Sequence, residues 1–245
     1  MSADPILESR RATLVYRTPR GPITAVDAAS MSVDSGECVA ILGRSGSGKS
    51  TLLALLAGLC PPTSGEVRFS GRSWAALTHR ETADIRARSV GLLLQSSALL
   101  PGLRALDNVL LPAVLAGITH SRAVTRATEL LGLVGLSERW DAYPSELSGG
   151  QQRRVALARA LAAEPAVILA DEPTGDLDGA AAREIVTLLE RIHAMRTTAI
   201  VVVTHDPTVA AMADRRFWIE RGRCTEVAVD LEPMAAGPSP VPIAA

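Results

Sequence analysis

Val39-Ala40-Ile41-Leu42-Gly43-Arg44-Ser45-Gly46-Ser47-Gly48-Lys49-Ser50-Thr51-Leu52-Leu53-Ala54-Leu55-Leu56-Ala57-Gly58-Leu59 decides how the rest of the chain is read. An apolar run of strand length enters a glycine-rich turn, and the turn opens into a leucine-rich segment of helical length. The turn fits Gly-x-x-x-x-Gly-Lys-Ser, a loop that cradles phosphate. Gly43, Gly46 and Gly48 put no side chain between a phosphate and the backbone N–H groups, and they tolerate positive φ. The following helix offers its free N-terminal amides and the positive end of its dipole to the same anion. Lys49 is placed to reach the β- and γ-phosphates and the Ser50 hydroxyl to ligate Mg²⁺. A glycine turn with one surface lysine is the alternative, and composition argues against it. The chain has 25 Lys plus Arg, and Lys49 is its one lysine, which leaves 25 − 1 = 24 arginines. A sequence that uses arginine everywhere else keeps its point-like ammonium where a planar guanidinium fits a phosphate less well.

At 245 residues the chain is long enough for one large domain or two small ones with a buried core. Its formal net charge of −1 gives no basic surface for nucleic acid or for an anionic membrane. The three cysteines, Cys38, Cys60 and Cys224, have neither disulfide nor metal spacing, which fits reduced thiols in a cytosol. Met1-Ser2-Ala3-Asp4-Pro5 starts acidic with no apolar core behind it, unlike a signal peptide. The apolar stretches Leu52 to Leu59 and Val155 to Ala163 fall short of a membrane span. The expectation is a chain that stays out of the bilayer and meets it, if at all, through a partner.

Residues 12 to 42 read as β-structure, with a turn at Pro19-Arg20-Gly21-Pro22 and another at Ser35-Gly36 before a strand from Glu37 to Leu42. Glu66 to Phe69 reads as a strand, Arg80 to Arg88 as a short helix, and Val90 to Leu94 as a buried strand ending at Gln95. From Leu106 to Ser145 the spacing of Val124, Ala127, Leu130, Leu131 and Val134 is helical, after a Ser121 cap. A strict alternation follows: helix Gly150 to Ala163, strand Ala166 to Ala170, helix Gly179 to Met195, strand Thr198 to Val203. Wholly apolar strands alternating with helices predict a parallel sheet covered on both faces, hence an α/β fold. The Pro-rich stretch from Glu232 is expected to be disordered.

Two further stretches carry chemistry. Val167 to Ala170 delivers Asp171 and Glu172 to the C-terminal edge of a parallel strand, where ligands of such sheets bind. One carboxylate can hold Mg²⁺ through water while its neighbour orients or deprotonates an attacking water. Leu147-Ser148-Gly149-Gly150-Gln151-Gln152 is a second serine-glycine turn opening a helix. Ser148 is a good N-cap and the exposed amides could take an anion, although the stretch taken alone reads first as a plain helix cap with glycines for close packing.

The order of these stretches resembles the ATP-binding-cassette ATPases: the loop Gly43 to Thr51, Gln95 after a buried strand, Leu147 to Gln151, Asp171-Glu172-Pro173, Gly175-Asp176-Leu177-Asp178 and Thr204-His205-Asp206. The resemblance covers residues 6 to 228, with a helical subdomain at about 96–147 and a tail at 229–245. It implies a phosphate-loop core with a parallel sheet covered by helices, an antiparallel β subdomain and an inserted helical subdomain. It also implies ATP hydrolysis with Mg²⁺. Tyr16 would stack on adenine, and residues Gly43, Arg44, Ser45, Gly46, Ser47, Gly48, Lys49, Ser50 and Thr51 would wrap the phosphates. Ser50, Gln95 and Asp171 would serve the metal. Glu172 would act as general base, His205 would touch the γ-phosphate, and Gln95 would sense the attacking water. Ser148, Gly149, Gly150 and Gln151 would close over the nucleotide of a second, identical copy. The implied partner is a transmembrane permease, with this subunit peripheral on the cytoplasmic face of the membrane. Pro173 to Asp178 and the stretch Leu99 to Pro112 look like the lipoprotein-releasing and macrolide-export group, whose cell-division relative allows a mechanical role without transport. Leu94 and Ala98 depart from that group's aromatics near the glutamine. A guanine reader of the Asn-Lys-x-Asp type cannot exist in a chain with one lysine, and no sustained heptads support a DNA-repair ATPase.

Overall fold

Tight turns at glycines join the first strands. β1 (Leu7–Thr18) turns into β2 (Gly21–Val33), and β3 (Cys38–Leu42) then feeds α1 (Lys49–Leu56). β4 (Ser64–Phe69), a short β5 (Arg72–Ser73), α2 (His79–Ser89) and β6 (Val90–Leu93) follow. Next come α3 (Ala105–Leu115), α4 (His120–Leu133) and α5 (Gly149–Leu161). The chain alternates through β7 (Val167–Asp171), α6 (Gly179–Ala194), β8 (Ala199–Thr204) and α7 (Pro207–Ala211), and closes with β9 (Arg215–Glu220) and β10 (Arg223–Val227). This computed structural model describes residues 4–228. The tail expected to be disordered lies outside the described residues.

Two sheets organise the molecule. β2-β1-β4-β5 is an antiparallel sheet, and β10-β9-β3-β8-β7-β6 is the central one. In the central sheet β9, β3, β8, β7 and β6 run parallel, while β10 pairs antiparallel with β9 at the edge. The sheet is therefore mixed where a parallel one was expected. β9 and β10 escape a hydropathy reading because Arg215, Arg216, Glu220, Arg221 and Arg223 interrupt them.

Alternation along each strand sorts its side chains between two cores. Cys38, Ala40, Ile168, Ala170, Ile200 and Val202 face a core built with α5, α6 and, beyond them, α3 and α4. Val39, Ile41, Val167, Leu169, Val201 and Val203 face the other core, shared with α1 and the antiparallel sheet. β3 throughout, and β7 and β8 up to their last residue, are apolar because both faces are covered, and each fully buried Val or Ile contributes roughly 1.5–3 kcal/mol. The second cover is thus one helix plus a sheet, not helices alone.

The helical block is real but its cap is not Ser121. α4 begins at His120 with Thr119 in the extended N-cap position, and Thr119 makes no side-chain capping bond. In front of α3, the fully buried Asn108 holds the chain: its Oδ1 accepts from the Leu100 amide at 2.8 Å, and its Nδ2 donates to the carbonyls of Leu100 and Leu103. The three cysteines are free, and burial pushes the Cys38 and Cys224 thiols up to about 12. Among the described residues no helix is long and apolar enough to cross a membrane.

Candidate nucleotide site

β3 ends where the glycine turn begins, so the turn emerges at the C-terminal edge of the central sheet. Its backbone is fixed from below. The Gly222 amide donates to the Ser47 carbonyl at 2.9 Å, and the Gly222 carbonyl accepts from the Asp27 amide at 2.8 Å. Gly48 has φ 107°, and a Cβ there would lie under 3.0 Å from the main-chain oxygen of Ala25 in β2. At Gly43 the demand is for space and not for a positive φ, because a Cβ would meet Ser47 Oγ at 2.7 Å and Ile219 Cγ2 at 2.9 Å. Arg44, Ser45, Gly46 and Ser50 line the exposed rim, while Ser47, Gly48 and Thr51 are half-buried.

Gly48 is the N-cap of α1 and offers no side-chain bond to the first turn, which also contains no acidic residue. The first amides of α1 are therefore open to an external anion. Lys49 is buried, and its Nζ donates to the carbonyls of Gly43 at 2.9 Å and Arg44 at 3.1 Å. The same ammonium lies 3.8 Å from Glu172 Oε1.

β7 and β8 deliver the other charges. Asp171 pairs in register with Val203 beside Thr204, which places Asp171, Glu172 and His205 at one edge. Glu172 has φ 47°, a left-handed conformation that turns the chain sharply after the strand. Its Oε2 faces His205 Nδ1 at 3.0 Å and accepts from the His205 amide at 3.3 Å. The Glu172 side chain is 13% exposed and that of His205 is 76% exposed, so the carboxylate is sheltered and the imidazole is free to swing outward. The Glu172 carboxylate is thereby held between one ammonium and one imidazole.

Mg²⁺ fits the oxygen donors present. Asp171 Oδ1 is buried without a hydrogen-bond partner, and Ser50 presents its hydroxyl on the first turn of α1. No cluster of three or more His, Cys, Asp or Glu occurs among the described residues.

Gln95 is exposed just beyond β6 and approaches the turn after Glu172: its Cγ is 4.0 Å from where a Cβ on Gly175 would stand. Tyr16 lies on β1 opposite Ile23, and the residue is 46% exposed. The second serine-glycine turn is a complete capping box. Ser148 Oγ accepts from the Gln151 amide, and Gln151 Oε1 accepts from the Ser148 amide at 2.9 Å. These bonds occupy Ser148 and Gln151, leaving the Gly149 and Gly150 amides as the open donors of α5. Sequence reading gave no role to Arg153 or Arg159, whose partners are main-chain oxygens that leave no pattern in the sequence.

The family described as ABC transporter matches residues 26–175. The chain belongs to the ABC transporter family. It is an ABC ATPase, and hydrolysis of ATP is the activity of that family. The cassette is 46% identical over 219 residues to the lipoprotein-releasing system ATP-binding protein LolD of Bordetella pertussis, covering 89% of this chain and 95% of LolD. It is 42% identical over 222 residues to the macrolide export ATP-binding/permease protein MacB of Rhodospirillum rubrum, covering 91% of this chain but 34% of MacB. Among solved structures it is similar to a dimeric, post-hydrolysis state of the ATP-binding cassette MJ0796 bound to ADP and Pi. The TM-score there is 0.85 at 35% identity, with 92% of this chain and 100% of the other covered.

Proposed function

We propose that this ABC ATPase is the motor of a membrane transporter, in which two copies close over ATP and drive a transmembrane permease that exports or extracts its substrate. The observation that carries the reading is the Glu172 carboxylate, sheltered between Lys49 and His205 at the edge where the phosphate loop opens. The functional unit is residues 6–228, with a helical subdomain at about 96–147. Lys49 leaves the loop carbonyls to bind the β- and γ-phosphates, and the amides from Gly46 to Thr51 surround them. Ser50 and Asp171, with Gln95 close by, would hold Mg²⁺, which would supply positive charge against the phosphates when bound. Glu172 takes a proton from the attacking water, while His205 swings from Glu172 toward the γ-phosphate. Tyr16 stacks on the base.

Two helix N-termini in one chain, α1 and α5, suit anions, whereas one nucleotide has a single γ-phosphate. A two-fold pair resolves the count, with Gly149 and Gly150 of one copy closing on the nucleotide of the other. The dimeric MJ0796 cassette supports this arrangement. Apolar side chains left exposed at Leu94, Leu100, Val114 and Leu115 support a permease docked on the helical subdomain, on the cytoplasmic face of the membrane. The names of LolD and MacB support export or extraction as the direction of work.

Glu172→Gln should bind ATP as the parent does and hydrolyse at least about 100-fold more slowly, with ATP and Mg²⁺ shifting monomer to dimer in sedimentation. Adding Ser148→Arg should leave ATP binding intact and remove the shift. A double variant that still dimerises on ATP would refute the role of the Ser148 turn, and parent-like hydrolysis by Glu172→Gln would refute the general base.

A further inference from the structure

Two arginines of α5 leave their helix to end on the segment that carries Gln95. Arg153 is 3% exposed, and its guanidinium donates to the main-chain oxygens of Leu94 and Gln95 and, at 3.4 Å, to that of Gly175. Arg159, further along the helix, donates to Ser97 at 2.8 Å and Ala98 at 2.7 Å. Burial pushes both guanidinium groups below their ordinary value, with Asp176 the one charge opposing it at Arg153. Among the described residues no ion pair joins Arg153 to a carboxylate, and its buried Nε has no hydrogen-bond partner.

A guanidinium buried with no carboxylate at ion-pair distance gives no stability that an apolar side chain of the same length would not give. What it does supply is geometry, because its rigid fork fixes several acceptors at once. The acceptors of Arg153 belong to two segments. One holds Gln95. The other is the turn after Glu172, in which the Gly175 amide donates back to the Glu172 carbonyl at 3.0 Å.

We propose that Arg153, backed by Arg159, is a positioning residue for hydrolysis: it fastens the Gln95 segment to the Glu172–Gly175 turn, so that Gln95 and Glu172 meet the attacking water in one fixed register. The proposal rests on the roles given above to Gln95 and Glu172. It adds that their relative placement is set from α5 and not by the sheet edge alone.

The test uses the full chain with Arg153→Met, which keeps the apolar stem and removes the donors. Turnover should fall by about ten-fold or more, as misplacement of reacting groups does, while KM for ATP stays within about two-fold of the parent. Backbone amide exchange should quicken at residues 94–98 and 173–177 and stay at the parent rate in β7 and β8. Arg153→Lys, which keeps the charge and can reach one carbonyl, should recover part of the turnover. Parent turnover in Arg153→Met overturns the proposal. So does a joint loss of turnover, ATP affinity and protection across the central sheet, which marks a merely structural residue. Should Arg153→Met not fold, the half-buried Arg159→Met takes its place. A fall of about three-fold at unchanged KM is then expected, and parent turnover despite quickened exchange at 94–98 overturns the proposal. Glu172→Gln run alongside separates the two readings: if it too keeps parent turnover, the general base has failed, whereas parent turnover in the arginine variants alone removes only the clamp.

Discussion

Gly48→Ala should weaken the whole fold, whereas Gly46→Ala, on the same loop, should do so far less. Both residues have positive φ, 107° at Gly48 and 75° at Gly46, so each alanine bears roughly 1–2 kcal/mol of backbone strain. They differ in what the new methyl meets. At Gly46 nothing lies within 4 Å, while at Gly48 the Ala25 carbonyl oxygen lies under 3.0 Å away. That oxygen belongs to the backbone of β2, so relief requires moving a paired strand, and overpacking of this kind costs about 1–3 kcal/mol more. The sum at Gly48 is about 2–5 kcal/mol against a total stability of about 5–15 kcal/mol. At roughly 3 °C per kcal/mol for a chain of this size, Tm should drop by about 10 °C in Gly48→Ala and about 4 °C in Gly46→Ala. Scanning calorimetry without nucleotide measures both. Equal midpoints for the two variants, or a Gly48→Ala midpoint within about 2 °C of the parent, would refute the idea that β2 forms a rigid floor for the loop.

Lys49→Ala should lower ATP affinity by about ten- to one-hundred-fold, the range of a lost charge-assisted hydrogen bond, as read by calorimetric titration. The fold should survive, because the substitution breaks no strand pairing: it leaves the buried Gly43 carbonyl without its donor, while Arg44, whose carbonyl it also frees, is an exposed residue. Tyr16→Ala should weaken ATP about five-fold, the worth of about 1 kcal/mol of stacking, and Tyr16→Trp should not; an unchanged Kd in Tyr16→Ala would exclude the ring from the site. Burial alone would raise the Asp214 carboxyl, but the Arg196 guanidinium, the Cys38 amide and His193 outweigh it and hold it below its usual 3.8. Its contribution is therefore complete above about pH 4 and is lost as pH falls through the lowered folded value. Asp214→Asn should destabilise the protein at neutral pH and flatten the acid limb of its stability curve, as followed by urea unfolding at several pH values.

Local structure was legible in the sequence wherever one short segment contains all of it. The glycine turn needs only Gly43 to Thr51, and the strand–loop–helix order follows from adjacent residues. The covered strands were legible too, because Val167 to Ala170 and Ala199 to Val203 are apolar without a break. Helix starts were less so: Thr119 and Ser121 are both good N-caps two residues apart, and the helix starts after Thr119, whose side chain makes no capping bond. β9 and β10 were hidden by their arginines, whose partners are distant in sequence, as with Arg215 on Glu226 and Glu37. The order of motifs implied that Glu172, His205 and Lys49 share a site, but not that the carboxylate rests between the other two. The Arg153 contacts were illegible for a plainer reason, since a carbonyl acceptor can belong to any residue type.

The lone lysine makes the cassette its own reporter. Growth on ¹⁵N-lysine would label a single side chain, at the point where the phosphates are expected. Its ammonium now rests on the Gly43 and Arg44 carbonyls, 3.8 Å from Glu172. Each change of partner during turnover would appear as one moving resonance, with no assignment to solve and no foreign label to introduce.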